Sequence, residues 1–449
     1  MQKTPLDDWI AGKIAVPPEA LTREAIESYQ LAQLRKTVSL AKERSAFYRS
    51  RLAGIDPDRI VSPSRFAELP FTLSQDVRDN PYGFVCTPQR EIERIVSLRS
   101  SGTTGEPKRI FFTKEDQELT IDFFDYGMRN LVGPSDRIMI LLPWELPGSV
   151  GNLLRTGLTR MGALPIPYGP VRDAGDAIDV ALKQRANAMV GIPTHVLGMA
   201  RHRNGRSLKG MIRSVLLSTD HVPDSIARAV EDIWGCKVFN HYGTTEMGLG
   251  GGVQCEARSG YHMREADLYF EIIDPETGRL LPEGELGEIV FTTLTREGMP
   301  LIRHRIGDLS RFVPGNCLCG SRLRQMEVVR DRVAGRKRLA GERFSIAELD
   351  EAIFQIDGVL NYRCELSEAE GREILAVGVV TVVESPTDRD MLIREVQRAV
   401  HQVPAVAEGL ARGRVRVAVN VDGDQLPISK GTAKRTIVDR RSEAQAKDE

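Results

Sequence analysis

Cysteine is scarce in this chain: six residues out of 449 do not amount to a disulfide framework. Charge imbalance is missing too. A formal net charge of −1 gives no global pull toward nucleic acid or an anionic membrane, so any polyanion must be handled by a local site. No apolar run approaches the ~20 residues that span a bilayer. Met1 to Ile10 lack the apolar centre of a signal peptide, and the expected location is the cytoplasm. Internal repeats and low-complexity tracts are absent, apart from a charged tail after Arg440. Also absent is the Gly-Lys-Ser/Thr ending that closes the common phosphate-binding loop of NTPases.

What is present reads as a soluble globular protein: 41% hydrophobic and 27% charged residues are ordinary values. The length exceeds what one compact core serves, so two or more domains are expected. Residues 21–53 carry apolar positions at helical spacing, a surface-packed amphipathic helix. Lys114 to Asn130 reads as a helix with Thr113 as N-cap and Asp116 completing the cap. Arg137–Leu142, Ala163–Pro167, Ala188–Ile192 and Ser214–Leu217 read as strands alternating with helices, which argues for layered α/β with a mainly parallel sheet. From Leu268 the texture changes. Leu268–Ile273, Gly287–Leu294 and Leu309–Val313 look antiparallel, joined by Pro- and Gly-containing turns. Residues 336–449 form a smaller α+β unit with a boundary near Gly335. The expected fold class is therefore α/β: a large N-terminal layered domain (1–335) with a small antiparallel β subdomain, then an α+β C-terminal domain.

The most chemically dense stretch is Leu98-Arg-Ser-Ser-Gly-Thr-Thr-Gly-Glu-Pro-Lys-Arg109. It lies between two β-rich segments, Ile92–Leu98 and Ile110–Phe112. Glycines let backbone N–H groups turn toward an anion, hydroxyls donate to its oxygens, and Lys108 offsets its charge. Such a loop suits a polyphosphate. Two later motifs keep it company: Tyr242-Gly-Thr-Thr-Glu246 and His304-Arg-Ile-Gly-Asp308.

Together, in this order, the three motifs resemble the adenylate-forming superfamily of acyl-CoA synthetases. Pro81–Phe84, Glu271–Gly278 and Leu294-Thr-Arg-Glu-Gly-Met-Pro300 resemble its phenylacetate-CoA ligase and coenzyme F390 synthetase branch. The resemblance implies ATP-dependent activation of a carboxylic acid, aryl or arylacetic, to an acyl-adenylate, followed by transfer to CoA. It also implies a requirement for Mg²⁺, a cytoplasmic enzyme with no nucleic-acid or membrane partner, and a homodimer. Rival readings are transfer of the acyl group to an amine or carrier, transfer of AMP to a phenolic cofactor, or a nucleotide-binding relative without turnover.

By the same resemblance, Ser100, Ser101, Gly102, Thr103, Thr104, Gly105 and Lys108 grip the leaving phosphates. Tyr242, with Gly243 and Thr244, walls the adenine and substrate, Thr245 meets a phosphate oxygen, and Glu246 holds Mg²⁺. Asp308 takes the ribose hydroxyls, and His304 stands where the family usually has Tyr. Gly335-Arg336 marks a hinge, and Arg336 touches ribose or phosphate. The catalytic lysine near the end is Lys434 in preference to Lys430. Asp220 and His221 occupy the place of the adenine loop. The glycines from Gly248 to Gly252 signal either close backbone approach to a ligand or mobility.

Of the six cysteines, Cys86, Cys236 and Cys364 stand alone and read as small buried hydrophobes. Cys255, His262, Cys317 and Cys319 make a complete donor set for a tetrahedral structural Zn²⁺, with no position left for catalysis; the alternative is that these three cysteines are buried and free as well.

Overall fold

The two segments flanking the hydroxyl-rich loop pair as expected. In the computed structural model, which describes residues 1–98, 107–383, 385–421 and 435–441, β1 (Ile92–Leu98) and β2 (Lys108–Thr113) run antiparallel, with Leu98 opposite Lys108. Thr113 closes β2 and starts α1 (Lys114–Met128): its Oγ1 accepts from Asp116 N at 3.1 Å, and Asp116 Oδ2 accepts from Thr113 N at 3.0 Å. That reciprocal cap stops the strand and sets the helix direction.

The chain packs as two units. The first comprises Met1–Asp136, Pro143–Gly169 and Phe239–Val329. The expected long helix over 21–53 is two helices here, Arg23–Arg44 and Ala46–Arg51. Ser45 breaks it, capping the second helix through Tyr48 N and donating to Gly83 O at 2.7 Å. β3 (Lys237–Tyr242), of which Phe239 onward lies in this unit, pairs antiparallel with Gly252–Gln254, and that strand pairs with Tyr261–Met263, which in turn meets Gln325–Met326. A second antiparallel set joins Leu268–Ile273, Gly287–Thr293 and β4 (His304–Ser310). The last strand starts earlier than the expected Leu309–Val313, because its partners are chosen by pairing with Gly287–Phe291, so the whole His304–Asp308 motif is strand. Phe111, Tyr242, Met263, Phe291 and Ile302 contribute to the core of this unit.

The second unit comprises Arg137–Leu142, Pro170–Val238 and Arg330–Glu449. Arg137–Ile140, Ala188–Gly191 and Ser214–Leu217 form a parallel set, almost wholly buried, as expected for strands covered on both faces. Residues 359–369, 372–381, 415–421 and 437–439 form a four-stranded sheet, packed by helices Ile346–Ile353, Pro386–His401 and Pro404–Ala411. Within this unit, Arg201 donates to Phe354 O at 2.8 Å. Arg435 donates to Asp220 at 3.1 Å and to both oxygens of Asp350 at 2.6 and 3.0 Å. Among the described residues, no helix is long and apolar enough to cross a membrane.

Candidate active site and metal centre

Two of the three motifs, and the lysine that ends the first, converge in the first unit. Lys108 opens β2, and its Nζ forms an ion pair with the Glu246 carboxylate. Glu246 is buried, 7% exposed. Burial alone raises a carboxyl pKa, but the Lys108 ammonium outweighs it, and the group sits at about 2. Close by, Tyr242 at the end of β3 donates its hydroxyl to Asp308 Oδ2 at 3.0 Å and stacks on Tyr261. His304, on the same strand as Asp308, is fully buried, and both of its ring nitrogens lack a hydrogen-bond partner among the described residues. Burial drives its pKa down to about 4, against the pull of Glu246. At neutral pH this imidazole is uncharged, and it adds a polar edge to the site without adding charge.

The loop that carries Glu246 is compact. Leu249 N donates to Thr244 O at 2.8 Å, Gly248 N to Thr245 O at 3.0 Å, and Gly251 N to Tyr242 O at 2.8 Å. A Cβ on Gly243 would meet Leu249 O at 2.5 Å, and one on Gly250 would meet the Phe123 ring at 2.3 Å. The sequence allows this glycine run either close approach to a ligand or mobility; the geometry instead shows the glycines packed against the chain itself. A carboxylate on a loop fixed in this way suits a hard cation, which takes oxygen ligands and fills its remaining positions with phosphate and water. An ionised, buried Glu246 therefore fits Mg²⁺.

The remaining expectations fall as follows. Ser100, Ser101, Gly102, Thr103, Thr104, Gly105, Lys430 and Lys434 lie outside the described residues. Arg336 follows the short turn Val333–Gly335 and pairs with Asp331. Arg305 pairs with Glu288 and donates to Pro275 O at 2.8 Å. Asp220 is held by Arg435. One residue carries no sequence-based assignment and yet touches this site. Arg296, inside the Leu294–Pro300 motif, donates to Glu246 O at 2.9 Å and to Phe111 O at 2.8 Å. The motif was legible, but its bond partners lie far away in the chain.

The metal-ligand set is assembled by the short antiparallel strands. Cys255 follows Gly252–Gln254, His262 lies opposite Val253 on the neighbouring strand, and Gln325 lies opposite His262 on the next. The segment leading into Gln325 thus returns Cys317 and Cys319 to the same place. All four side chains are buried, and their ligand atoms lie within 4.8 Å of one another. Cys255 Sγ and Cys317 Sγ are 3.6 Å apart, and Cys319 Sγ is 3.4 Å from His262 Nε2. A tetrahedron with bonds of about 2.3 Å to sulfur and about 2.0 Å to nitrogen has edges of about 3.5–3.8 Å, so the set fits Zn²⁺. Burial pushes the Cys255 thiol up. Burial acts the same way on Cys319, but its contact with His262 and the Ser321 N–H bring it below the usual thiol value.

Comparison with known proteins places these features. Residues 88–294 match the family model described as AMP-binding enzyme. The chain is 30% identical to the phenylacetate-coenzyme A ligase of Thermus thermophilus, over 94% of this chain and 98% of that protein. It is 32% identical to the phenylacetate-coenzyme A ligase of Pseudomonas putida, over 67% of this chain and 69% of that one. Among solved structures, 2-hydroxyisobutyryl-CoA ligase in the postadenylation state, in complex with 2-HIB-AMP, superimposes with a TM-score of 0.77 at 21% identity. That match covers 95% of this chain and 91% of the other, and it supports an adenylate-forming fold.

Proposed function

The chain belongs to the phenylacetate-CoA ligase family of AMP-binding enzymes, and from that premise we propose that its acid is aryl or arylacetic and that the convergent motifs form the nucleotide site. The reaction is ATP-dependent: a carboxylate oxygen attacks the α-phosphorus of ATP, the bond to the β-phosphate oxygen breaks, and pyrophosphate leaves. The thiolate of CoA then attacks the acyl carbon, releasing AMP and giving the acyl-CoA.

Negative charge builds on phosphoryl oxygens in the first step, so most of the acceleration comes from positioning and from cations held in place. Lys108 faces the leaving phosphates together with Ser100, Ser101, Gly102, Thr103, Thr104 and Gly105. Glu246 would hold Mg²⁺, which when bound neutralises phosphate oxygens. Tyr242, with Gly243 and Thr244, flanks the base, Thr245 meets a phosphate oxygen, and Asp308 receives the ribose hydroxyls. Lys434 bridges the carboxylate and α-phosphate. Residues 336–449 act as a mobile domain about Gly335–Arg336, so that one chain serves both steps. Away from the chemistry, Cys255, His262, Cys317 and Cys319 would hold a structural Zn²⁺ and, supplying four protein ligands, would leave no position for substrate. The enzyme works in the cytoplasm as a homodimer.

The observation that carries this reading is the ion pair of Lys108 with Glu246, neighboured by the Tyr242–Asp308 hydrogen bond, in one buried region. The test is mass spectrometry of products from a panel of carboxylic acids with ATP, with and without CoA. AMP, pyrophosphate and an aryl- or arylacetyl-CoA are expected; the absence of acid-dependent pyrophosphate release sinks the proposal. Lys434→Ala should abolish ATP–pyrophosphate exchange and spare thioester formation from preformed acyl-adenylate. Metal analysis of the purified protein should find one zinc per chain, lost in Cys317→Ser.

A further inference from the structure

Arg296 is a buried cation, 6% exposed, with no carboxylate in hydrogen-bond contact among the described residues. Its two terminal nitrogens instead grip two main-chain carbonyls, Glu246 O and Phe111 O. Its plane lies over the Phe112 ring at 4.3 Å. Keeping a guanidinium out of water costs several kcal/mol, and here carbonyl dipoles, a ring face and the more distant charges of Asp116 and Glu246 offset that cost. An arrangement this expensive calls for an explanation beyond filling space.

The neighbours of Arg296 in sequence make the same connection. Met299 Sδ accepts from Phe111 N at 3.4 Å, so the peptide groups of Phe111 that face away from β1 are both taken by this segment. Glu297 N donates to Asp116 Oδ1 at 3.3 Å, and Gly298 O accepts from Cys86 N at 2.9 Å. A Cβ at position 298 would meet Asp116 Oδ2 at 2.5 Å, so only glycine lets the segment lie this close to the cap of α1. At its other end, Thr295 Oγ1 donates to Asp267 Oδ1 at 2.8 Å. Residues 295–299 therefore strap the strand that leaves the phosphate loop to the loop that presents Glu246.

We propose that Arg296 is a positioning residue for the adenylation step, fixing the spacing between the Lys108 ammonium and the Glu246 carboxylate by tying the main chain at Glu246 to β2 at Phe111, three residues along that strand from Lys108. The fork is essential to this role. A lysine supplies one charge at one point and cannot span two carbonyls in a fixed plane. The inference rests on the nucleotide reading of the site given above.

The test is equilibrium binding of ATP by calorimetry, with and without Mg²⁺, to the wild-type chain and to Arg296→Lys. Loosened spacing should weaken binding about tenfold with Mg²⁺ present and leave metal-free binding nearly unchanged. ATP–pyrophosphate exchange should fall about 100-fold, as expected when reacting groups shift by about 1 Å. Thioester formation from added acyl-adenylate should persist, which a merely unfolded variant would not allow. Equal weakening with and without Mg²⁺, or equal loss in both half-reactions, overturns the proposal. Met299→Leu keeps the volume and removes the sulfur acceptor. It carries the test if Arg296→Lys does not fold, with an expected Mg²⁺-dependent loss of about twofold; no such loss overturns the proposal. A wild-type chain that binds no ATP defeats the nucleotide reading itself, whereas normal behaviour of the variants defeats only the role of Arg296.

Discussion

Glu246 and Glu271 are both buried in the first unit, and both are paired with a cation, yet their carboxyls titrate in opposite directions. Burial raises Glu271, and Arg303, which donates to it at 3.1 Å, does not overcome that. Burial opposes the charged form of Glu246 as well, but Lys108 pulls it down to about 2. The difference lies in what else each cation does. Arg303 Nη1 donates to both Ala67 O and Leu69 O, Nη2 lies 3.0 Å from Glu271 Oε1, and the guanidinium stacks on Phe71 at 4.1 Å, so this pair is tied into the core and serves packing. Lys108 follows the hydroxyl-rich loop in sequence and interacts with His304, whose ring nitrogens lack a hydrogen-bond partner among the described residues. On the proposed reading that pair is the one a ligand opens, and the contrast would then separate a structural ion pair from a functional one.

The sharpest way to break this contrast is Glu246→Gln. ATP–pyrophosphate exchange should fall about 10³-fold, the scale of losing one charge-stabilising group at a reacting centre, while the folded state persists. If exchange survives, Glu246 is no more functional than Glu271. Next comes Glu271→Gln, which leaves Arg303 buried without its counter-charge. Urea unfolding should show a loss of about 3 kcal/mol, with turnover per folded molecule unchanged; a selective loss of turnover would erase the distinction.

The pH dependence of stability supplies a third measurement. The folded-state pKa of Glu246 lies below its ordinary 4.5, at about 2. Its contribution is therefore present above pH 4.5 and lost as pH falls toward 2, up to about 3 kcal/mol. Glu271 is raised, so its contribution has the opposite sign and is lost as pH rises through its folded pKa. Acid denaturation of Glu246→Gln should accordingly be shallower than wild type below pH 4.5, and an unchanged slope would refute the assignment. The smallest expected effect is that of Tyr242→Phe, which removes the hydroxyl from Asp308 at a cost of about 1 kcal/mol. It should appear as a severalfold rise in KM for ATP with kcat retained.

Much of this was legible in the chain because it is local. The Thr113–Asp116 cap joins groups three residues apart, and the strand pair around residues 98–108 follows from β-branched runs on either side of a glycine-rich loop. The metal-ligand set was legible as residue types, though only strand pairing brings His262 between Cys255 and Cys319. Where the reading departed from the structure, a distant partner intervened. Ser45 ends a helix that periodicity would continue, because its hydroxyl reaches Gly83 O. β4 begins at His304 instead of Leu309, because strand limits are set by the neighbouring strand.

The sequence by itself carried the family resemblance, and with it the reaction class and most of the groups proposed for the candidate site, since phosphate chemistry demands particular side chains in short, ordered motifs. Tertiary structure alone decided how those motifs are joined: which glutamate meets Lys108, that the glycines of the Glu246 loop pack against their own chain, and that Arg296 ties two distant carbonyls together. Main-chain carbonyls look the same at every position, so a side chain that works by gripping them leaves no trace of its partners in the order of residues.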